Sequence, residues 1–318
     1  MRPLLVAILA ATSLAILVAF AAGQVLSDRF AFSQWLLWIP APVAMVAAIA
    51  LLASGMAARG RWRILLCVAS IAGVVGSIAV ALRDHHPFRA APDLDGRTDV
   101  LRITHWNPQW IAAPEARAIK PVVENLHHDL TIVTNAGALR LREIAESWEQ
   151  EGNEVLYLSP FAVLSRLPVL EARKIVAADG TSVAYLRIDA TARLGREITV
   201  FAIDLPSRPS IPRMELAERI HGWIEESDVG PPDLVVGDFN ITRGSAAMSA
   251  LFPGLHDAYD EAGRGLGTSY PRNLPLWSID HILLGPGLRA LDYALVDPGS
   301  HGHRAQTAVI EAASPPPT

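Results

Sequence analysis

The polar and apolar positions of this chain divide it near residue 83. Before that point charge is sparse, and three uncharged apolar stretches dominate: PLLVAILAATSLAILVAFAAG (Pro3–Gly23), WLLWIPAPVAMVAAIALLA (Trp35–Ala53) and ILLCVASIAGVVGSIAVAL (Ile64–Leu82). A helix of about 20 apolar residues crosses a bilayer, so the pattern predicts three transmembrane helices, the second kinked at Pro40 and Pro42. Arg2 before the first stretch also fits a signal peptide, but the apolar run is longer than a signal core and two more follow. Trp35, Trp38 and Trp62 stand near the span ends, where interfacial aromatics gather. The loop ASGMAARGRWR carries Arg59, Arg61 and Arg63, whereas the preceding loop holds only Asp28 and Arg29. Positive-inside logic puts the arginine-rich loop in the cytoplasm and everything after Leu82 outside it. The expectation is a multi-pass protein of the inner (plasma) membrane with an extracytoplasmic C-terminal domain.

After the third stretch the pattern changes twice. RDHHPFRAAPDLDGRTD (Arg83–Asp99) is polar and aperiodic and reads as a linker, with His85 and His86 solvated rather than ligating. From Val100, short apolar runs alternate with amphipathic helical patterns. VLRITHWN, DLTIVTN, EVLYLS, FAVLSRLPVLEARKIVA, TSVAYLRIDA, REITVFAIDL, PDLVVGDFN, LWSIDHILLG and QTAVIEA read as strands. PEARAIKPVVENLHH, LRLREIAESWEQEG and MELAERIHGWIEES read as helices. The predicted organisation is therefore a membrane region at 1–82, a linker at 83–99, an α/β domain at 100–312 and a disordered tail at 313–318. Consecutive strands without intervening helices exclude an all-parallel sheet; two packed sheets with helices outside fit better.

Composition sharpens this only in places. Of 318 residues 51% are hydrophobic, an excess concentrated in the first quarter. The net charge of −5 and the lack of a basic face after the membrane region argue against a bulk nucleic-acid surface. Cys67 is the sole cysteine, so the chain makes no internal disulfide and offers no zinc cluster.

The candidate chemistry lies at strand ends. In LVVGDFN, Asp238 and Asn240 are two positions apart and can point to one side, offering a carboxylate and an amide. That pairing suits phosphate chemistry beside a divalent metal, although an Asx turn could end a strand in the same way. SIDHILL places Asp280 within an apolar strand, where a carboxylate needs a partner. GSHGHRAQTAVI offers His301 and His303, and a carboxylate that orients an imidazole is a recurring acid–base unit. Asn107 ends the first strand, and Ser165 and Arg166 follow another. Trp106 and Trp110 flank Asn107 and read as core packing. Arg243 and Arg304 are candidate phosphate contacts.

GDFN, SIDHILLGPGL and AVLSRLPV, with HWN first and HGHR last, resemble the endonuclease/exonuclease/phosphatase superfamily of deoxyribonuclease I-like proteins, in its bacterial membrane-anchored form. The resemblance spans about Val100 to Ile310. It implies a four-layered sandwich of two mixed β-sheets flanked by helices, and hydrolysis of phosphodiesters or phosphomonoesters with Mg²⁺ or Mn²⁺. On this resemblance Asn107 helps hold the metal or phosphate, Asp238 positions or activates the water, Asn240 holds a phosphate oxygen, and Asp280 orients His303 against the phosphate.

The chain also departs from the family. Where the second strand normally ends in glutamine and the metal-binding glutamate, Thr134 and Asn135 stand; Gly302 replaces an aspartate before His303; and Asp204 replaces a strand-end histidine. The metal set expected from the resemblance is thus Asn107, Asn135 and Asp238, with Asp204 as the residue able to restore charge, and the site is weakened. Two readings follow: a membrane-anchored, metal-dependent hydrolase of a phosphate ester in or near the bilayer, or a degenerate relative acting as a binding or scaffold protein. A transporter is disfavoured because no ionisable residue lies at a span centre.

Overall fold

The computed structural model describes residues 3–109, 122–123, 128–136, 142–299 and 302–313. These form two compact units: Met1–Asp84 with Arg208–Ala217 and Gly244–Ala247, and the remainder.

The first unit is helical. It comprises α1 (Pro3–Leu26), α2 (Ser33–Leu37), α3 (Ala41–Ala57) and α4 (Arg61–Asp84). Two helices, α1 and α4, are long and apolar enough to cross a membrane, rather than the three expected. The second stretch is broken, not kinked. Pro40 is extended at φ −69 and ψ 145 and caps α3, while Pro42 sits in its first turn, where its missing N–H costs nothing. The 17 residues that remain rise only about 26 Å, short of the roughly 30 Å hydrocarbon layer. Leu17, Phe20, Ala44, Ala47, Ala48 and Leu51 form the helix–helix core, and Ser70 Oγ donates to the Ala48 carbonyl at 2.7 Å. Small residues and a cross-helix hydroxyl bond suit packing in lipid. Gln34 ties the 208–217 segment by accepting from the Arg213 N–H and donating to the Pro209 carbonyl, and Asp28 accepts from Ser245 Oγ and the Ala247 N–H.

The second unit holds two mixed sheets flanked by helices. Its first strands are β1 (His85–His86), β2 (Leu101–Trp106) and β3 (Leu130–Val133). After α5 (Arg142–Gln150) come β4 (Glu154–Leu158), β5 (Phe161–Ser165), β6 (Val169–Ala178), β7 (Thr181–Asp189) and β8 (Glu197–Asp204). Then follow β9 (Leu234–Asp238), β10 (His256–Asp257), β11 (Gly263–Leu266), β12 (Asp280–Leu284), β13 (Leu288–Val296) and β14 (Ala305–Ala312). The sheet orders are β1-β11-β13-β14-β2-β3-β5-β4 and β10-β12-β9-β8-β7-β6.

The linker reading needs correction at its start. His85 and His86 pair with β11; His86 stacks on Tyr259 and its Nδ1 lies 2.9 Å from the Gly263 carbonyl, while His85 Nδ1 accepts from the Gly267 N–H. Strand β13, over LRALDYALV, is an addition to the expected set. The helix expected over PEARAIKPVVENLHH falls largely outside the described residues, as do Trp110, His301 and the tail from 314.

Alternation builds the core. Leu101 and Ile103 of β2, Leu130 and Ile132 of β3, and Ala308 and Ile310 of β14 face Val200 and Ala202 of β8, Leu234 and Val236 of β9, and Ile282 and Leu284 of β12. Every second residue of these strands points between the sheets. The same count continued one step toward a single end of the sandwich reaches only polar residues: His105, Thr134 and Gln306 from one sheet, and Asp204, Asp238 and Asp280 from the other.

Candidate active site

Three aspartates form a row. Parallel pairing sets Asp204 level with Asp238, and antiparallel pairing sets Asp280 level with Asp238. Side chains level on adjacent strands share a face about 5 Å apart, so like charges accumulate. Gly237 permits this closeness: at φ 157, a Cβ there would lie 1.9 Å from the Ile203 carbonyl oxygen. Burial, then the charges of Asp238 and Asp280, push the Asp204 carboxyl up to about 8 against the pull of His303. Burial and the Asp280 charge likewise raise Asp238, against the opposing effect of His303, Asn107 and the Asn240 N–H.

The Asp–His unit is present. His303 Nδ1 lies 2.8 Å from Asp280 Oδ2, which also accepts from Ser269 Oγ at 2.5 Å. Burial alone would lower the imidazole; the Asp280 charge and hydrogen bond, with Asp238 and Asp204 behind them, raise it to about 9. The same partnership holds Asp280 below the usual carboxylate range in spite of its burial. Trp106 Nε1 donates to the His303 carbonyl, the His303 N–H donates to the Asn107 carbonyl, and Tyr270 lies against the imidazole with ring centroids 4.7 Å apart. His303 Nε2 faces the Gln109 side-chain amide at 3.3 Å.

A chain of amides ends on Asp238. Asn135 Nδ2 donates to Asn107 Oδ1 at 3.1 Å, and Asn107 Nδ2 donates to Asp238 Oδ2 at 2.8 Å. Asp238 Oδ1 accepts the Asn240 backbone N–H at 3.0 Å, and Asn240 Nδ2 donates to the Leu205 carbonyl. Asn240 therefore buttresses Asp238, and one of its amide N–H groups is committed to the backbone rather than to a ligand.

Arg243 goes elsewhere. Its buried guanidinium donates to Asp257 and the Gly267 carbonyl and lies 4.1 Å over the Tyr259 ring. His281 completes this cluster between Asp257 and the Ile241 carbonyl. The phosphate contact expected of Arg243 is replaced by a packing role. Arg304 is likewise turned to the Arg272 carbonyl.

Two residues behind the site escaped the motif reading. His105 Nε2 meets Thr134 Oγ1 at 2.9 Å, and its Nδ1 meets Gln306 Nε2 at 2.7 Å, which leaves Gln306 Oε1 for the Tyr293 hydroxyl. Burial holds His105 near 4, so it is neutral. The signal for both was their place on the inward face, two positions beyond Ile103 and Ala308.

The donor set suits a hard divalent cation. Ligand atoms of Asp238, Asp280 and His303 lie within 4.8 Å of one another, and the buried Asp280 Oδ1 has no hydrogen-bond partner. Carboxylate oxygens outnumber the single imidazole in the set, and oxygen is the donor Mg²⁺ and Mn²⁺ prefer.

The sequence pattern described as the Endonuclease/Exonuclease/phosphatase family matches residues 81–301. No curated protein matches the chain. Among solved structures, an endonuclease/exonuclease/phosphatase family protein from Bacteroides thetaiotaomicron superposes with TM-score 0.51 at 14% identity, covering 66% of this chain and 94% of that one. Truncated Caenorhabditis elegans TDP2 gives TM-score 0.51 at 16% identity over 67% of this chain and 98% of its own. A humanized D. rerio TDP2 gives 0.50 at 15% identity over 67% and 99%. At these identities the likeness establishes the fold.

Proposed function

This chain belongs to the endonuclease/exonuclease/phosphatase family, and from that premise we propose that it is a divalent-metal-dependent phosphoester hydrolase, tethered to a membrane and acting outside the cytoplasm. The observation that carries the reading is the Asp280–His303 pair set beside Asp238 at one end of the sandwich. An inactive packing element has no need to bury the level carboxylates Asp238 and Asp280 side by side, because like charges there are costly.

The residues divide the work. Asp280 fixes the orientation of the His303 ring through Nδ1 and so leaves the Nε2 proton for the ligand. The raised affinity of His303 for its proton keeps it cationic at neutral pH, ready to stabilise charge on a phosphoryl oxygen. Asp238, aligned by Asn107 and the Asn240 N–H, would orient the attacking water and hold the cation. Asp238 and its carboxylate neighbours would hold a divalent ion there, which would supply Lewis-acid stabilisation of the phosphoryl charge.

The anchoring part of the reading rests on α1 and α4, and its orientation on Arg59, Arg61 and Arg63. A tethered enzyme favours an ester in or near the bilayer, and the acidic net charge disfavours bulk nucleic acid. A second reading, a degenerate binding or scaffold protein, is favoured by Asn135, whose amide occupies the oxygen of Asn107.

The test is hydrolysis of bis-p-nitrophenyl phosphate and p-nitrophenyl phosphate by the full chain in detergent, with Mn²⁺ or with chelator. Turnover of either ester that needs Mn²⁺ supports the enzyme. A rate with Mn²⁺ no higher than with chelator, for both esters, supports the scaffold.

A further inference from the structure

Two backbone conformations close the place where relatives are expected to hold their cation. Gly302, which stands where the family has aspartate, lies at φ 84, and a Cβ there would sit 2.2 Å from the Asn107 carbonyl oxygen. The His303 N–H donates to that same oxygen at 2.9 Å, so the strand entry cannot move aside without loosening His303. Asn135, at the glutamate position, is left-handed at φ 56, a region that asparagine tolerates and a glutamate does not favour. Asn107 Oδ1 already accepts from Asn135 Nδ2 and from the Gln109 N–H at 2.8 Å. Both lone pairs of that amide oxygen are used.

On the other side of Asp238 the situation reverses. Asp204 is level with Asp238 on a parallel neighbour, at the point where Gly237 lets the strands approach. Among the described residues its carboxylate has no hydrogen-bond or ion-pair partner. The next member of the row, Asp280, is buried with no hydrogen bond to Oδ1, the nearest nitrogen being His105 Nδ1 at 3.8 Å. Carboxylate oxygens left without donors, beside an Asp238 whose oxygens are aligned from the opposite side, call for a cation rather than a proton donor from the protein.

We infer that the cation of this site is held by the Asp204–Asp238 pair, one strand away from the family's glutamate position, and that Asn135 is a hydrogen-bond donor to Asn107 rather than a ligand. The inference rests on the hydrolase reading for its purpose, but its geometry stands apart from turnover. Two carboxylates on adjacent strand ends supply the charge that Mg²⁺ or Mn²⁺ requires, with remaining positions left to water and substrate oxygens.

The test is Mn²⁺ binding to the full chain in detergent, followed by the electron paramagnetic resonance signal of free Mn²⁺. Asp204→Asn keeps the side-chain shape and removes like-charge repulsion, and Asn135→Gly keeps access to the left-handed backbone. We expect Asp204→Asn to weaken Mn²⁺ binding by about tenfold or more, and Asn135→Gly to change it by less than about threefold. The Mn²⁺-induced rise in thermal midpoint should vanish in Asp204→Asn, while a cooperative melt retained without Mn²⁺ shows that the variant folds. Retained affinity in Asp204→Asn, loss in Asn135→Gly, or no Mn²⁺ binding to the wild type would each overturn the inference. Ester turnover measured alongside separates the two claims. Asp204-dependent Mn²⁺ binding without turnover upholds this siting and counts against the hydrolase. Mn²⁺-dependent turnover with affinity unchanged in Asp204→Asn does the opposite.

Discussion

Gly302 and Asn135 decide how far this site can be returned to the pattern of its family. Restoring the aspartate at 302 places a Cβ 2.2 Å from the Asn107 carbonyl oxygen, on a backbone at φ 84. Gly302→Asp should therefore cost about 3 kcal/mol and leave turnover no higher, as thermal melts and ester assays would show. Asp257 gives a prediction with a definite pH sign. Burial pushes its carboxyl up, but the Arg243 guanidinium and the His281 hydrogen bond more than reverse this and hold it well below the usual range. A depressed carboxylate contributes stability above its unfolded value, about 4, and loses it as pH falls toward the native value. Asp257→Asn should lower stability by about 3 kcal/mol at pH 7, and the gap to wild type in thermal midpoint should narrow below about pH 4. At this scale the convergence of Asp238, Asp280, His303 and Asn107 was legible because strand-end carboxylates in apolar surroundings need polar partners. Arg243 was misread because adjacency to GDFN says nothing about which way a guanidinium turns.

At the scale of elements, alternation carries most of the site. Strands β2, β3, β14, β8, β9 and β12 each run apolar on the inward face until one end, where the next inward residue is polar. Local sequence shows that alternation, but not which strands lie level; the Asp204–Asp238–Asp280 row needs the pairing register. His105 was passed over because one polar residue in an apolar strand looks like an outward position. Its bonds to Thr134 and Gln306 tie β2 to β14 and to the turn that follows β3. His105→Ala removes both partners' contacts inside a fully buried layer and should cost about 3 kcal/mol, read as a lower urea midpoint with little change in slope. The break at Pro40 was misjudged for a different reason: hydropathy counts apolar residues across a proline that in fact starts a helix.

For the whole molecule, the two-sheet architecture follows from the change in pattern near residue 83, but the pattern does not show that Arg208–Ala217 and Gly244–Ala247 group with the helical unit. The proposed topology is open to test. In a Cys67→Ser background, a cysteine at Gly60 should react with an impermeant maleimide only after the cell's cytoplasmic face is opened, and one at Asp95 should react in intact spheroplasts; the reverse pattern would invert the orientation. The central claim is that phosphoester hydrolysis occurs at Asp238. The most direct measurement is steady-state turnover of wild type and Asp238→Asn side by side, at saturating Mn²⁺, on whichever ester the wild type cleaves. The substitution keeps the side-chain shape and removes only the charge that orients water and cation. The account predicts a fall in kcat of about 100-fold or more; an Asp238→Asn rate equal to wild type would contradict it.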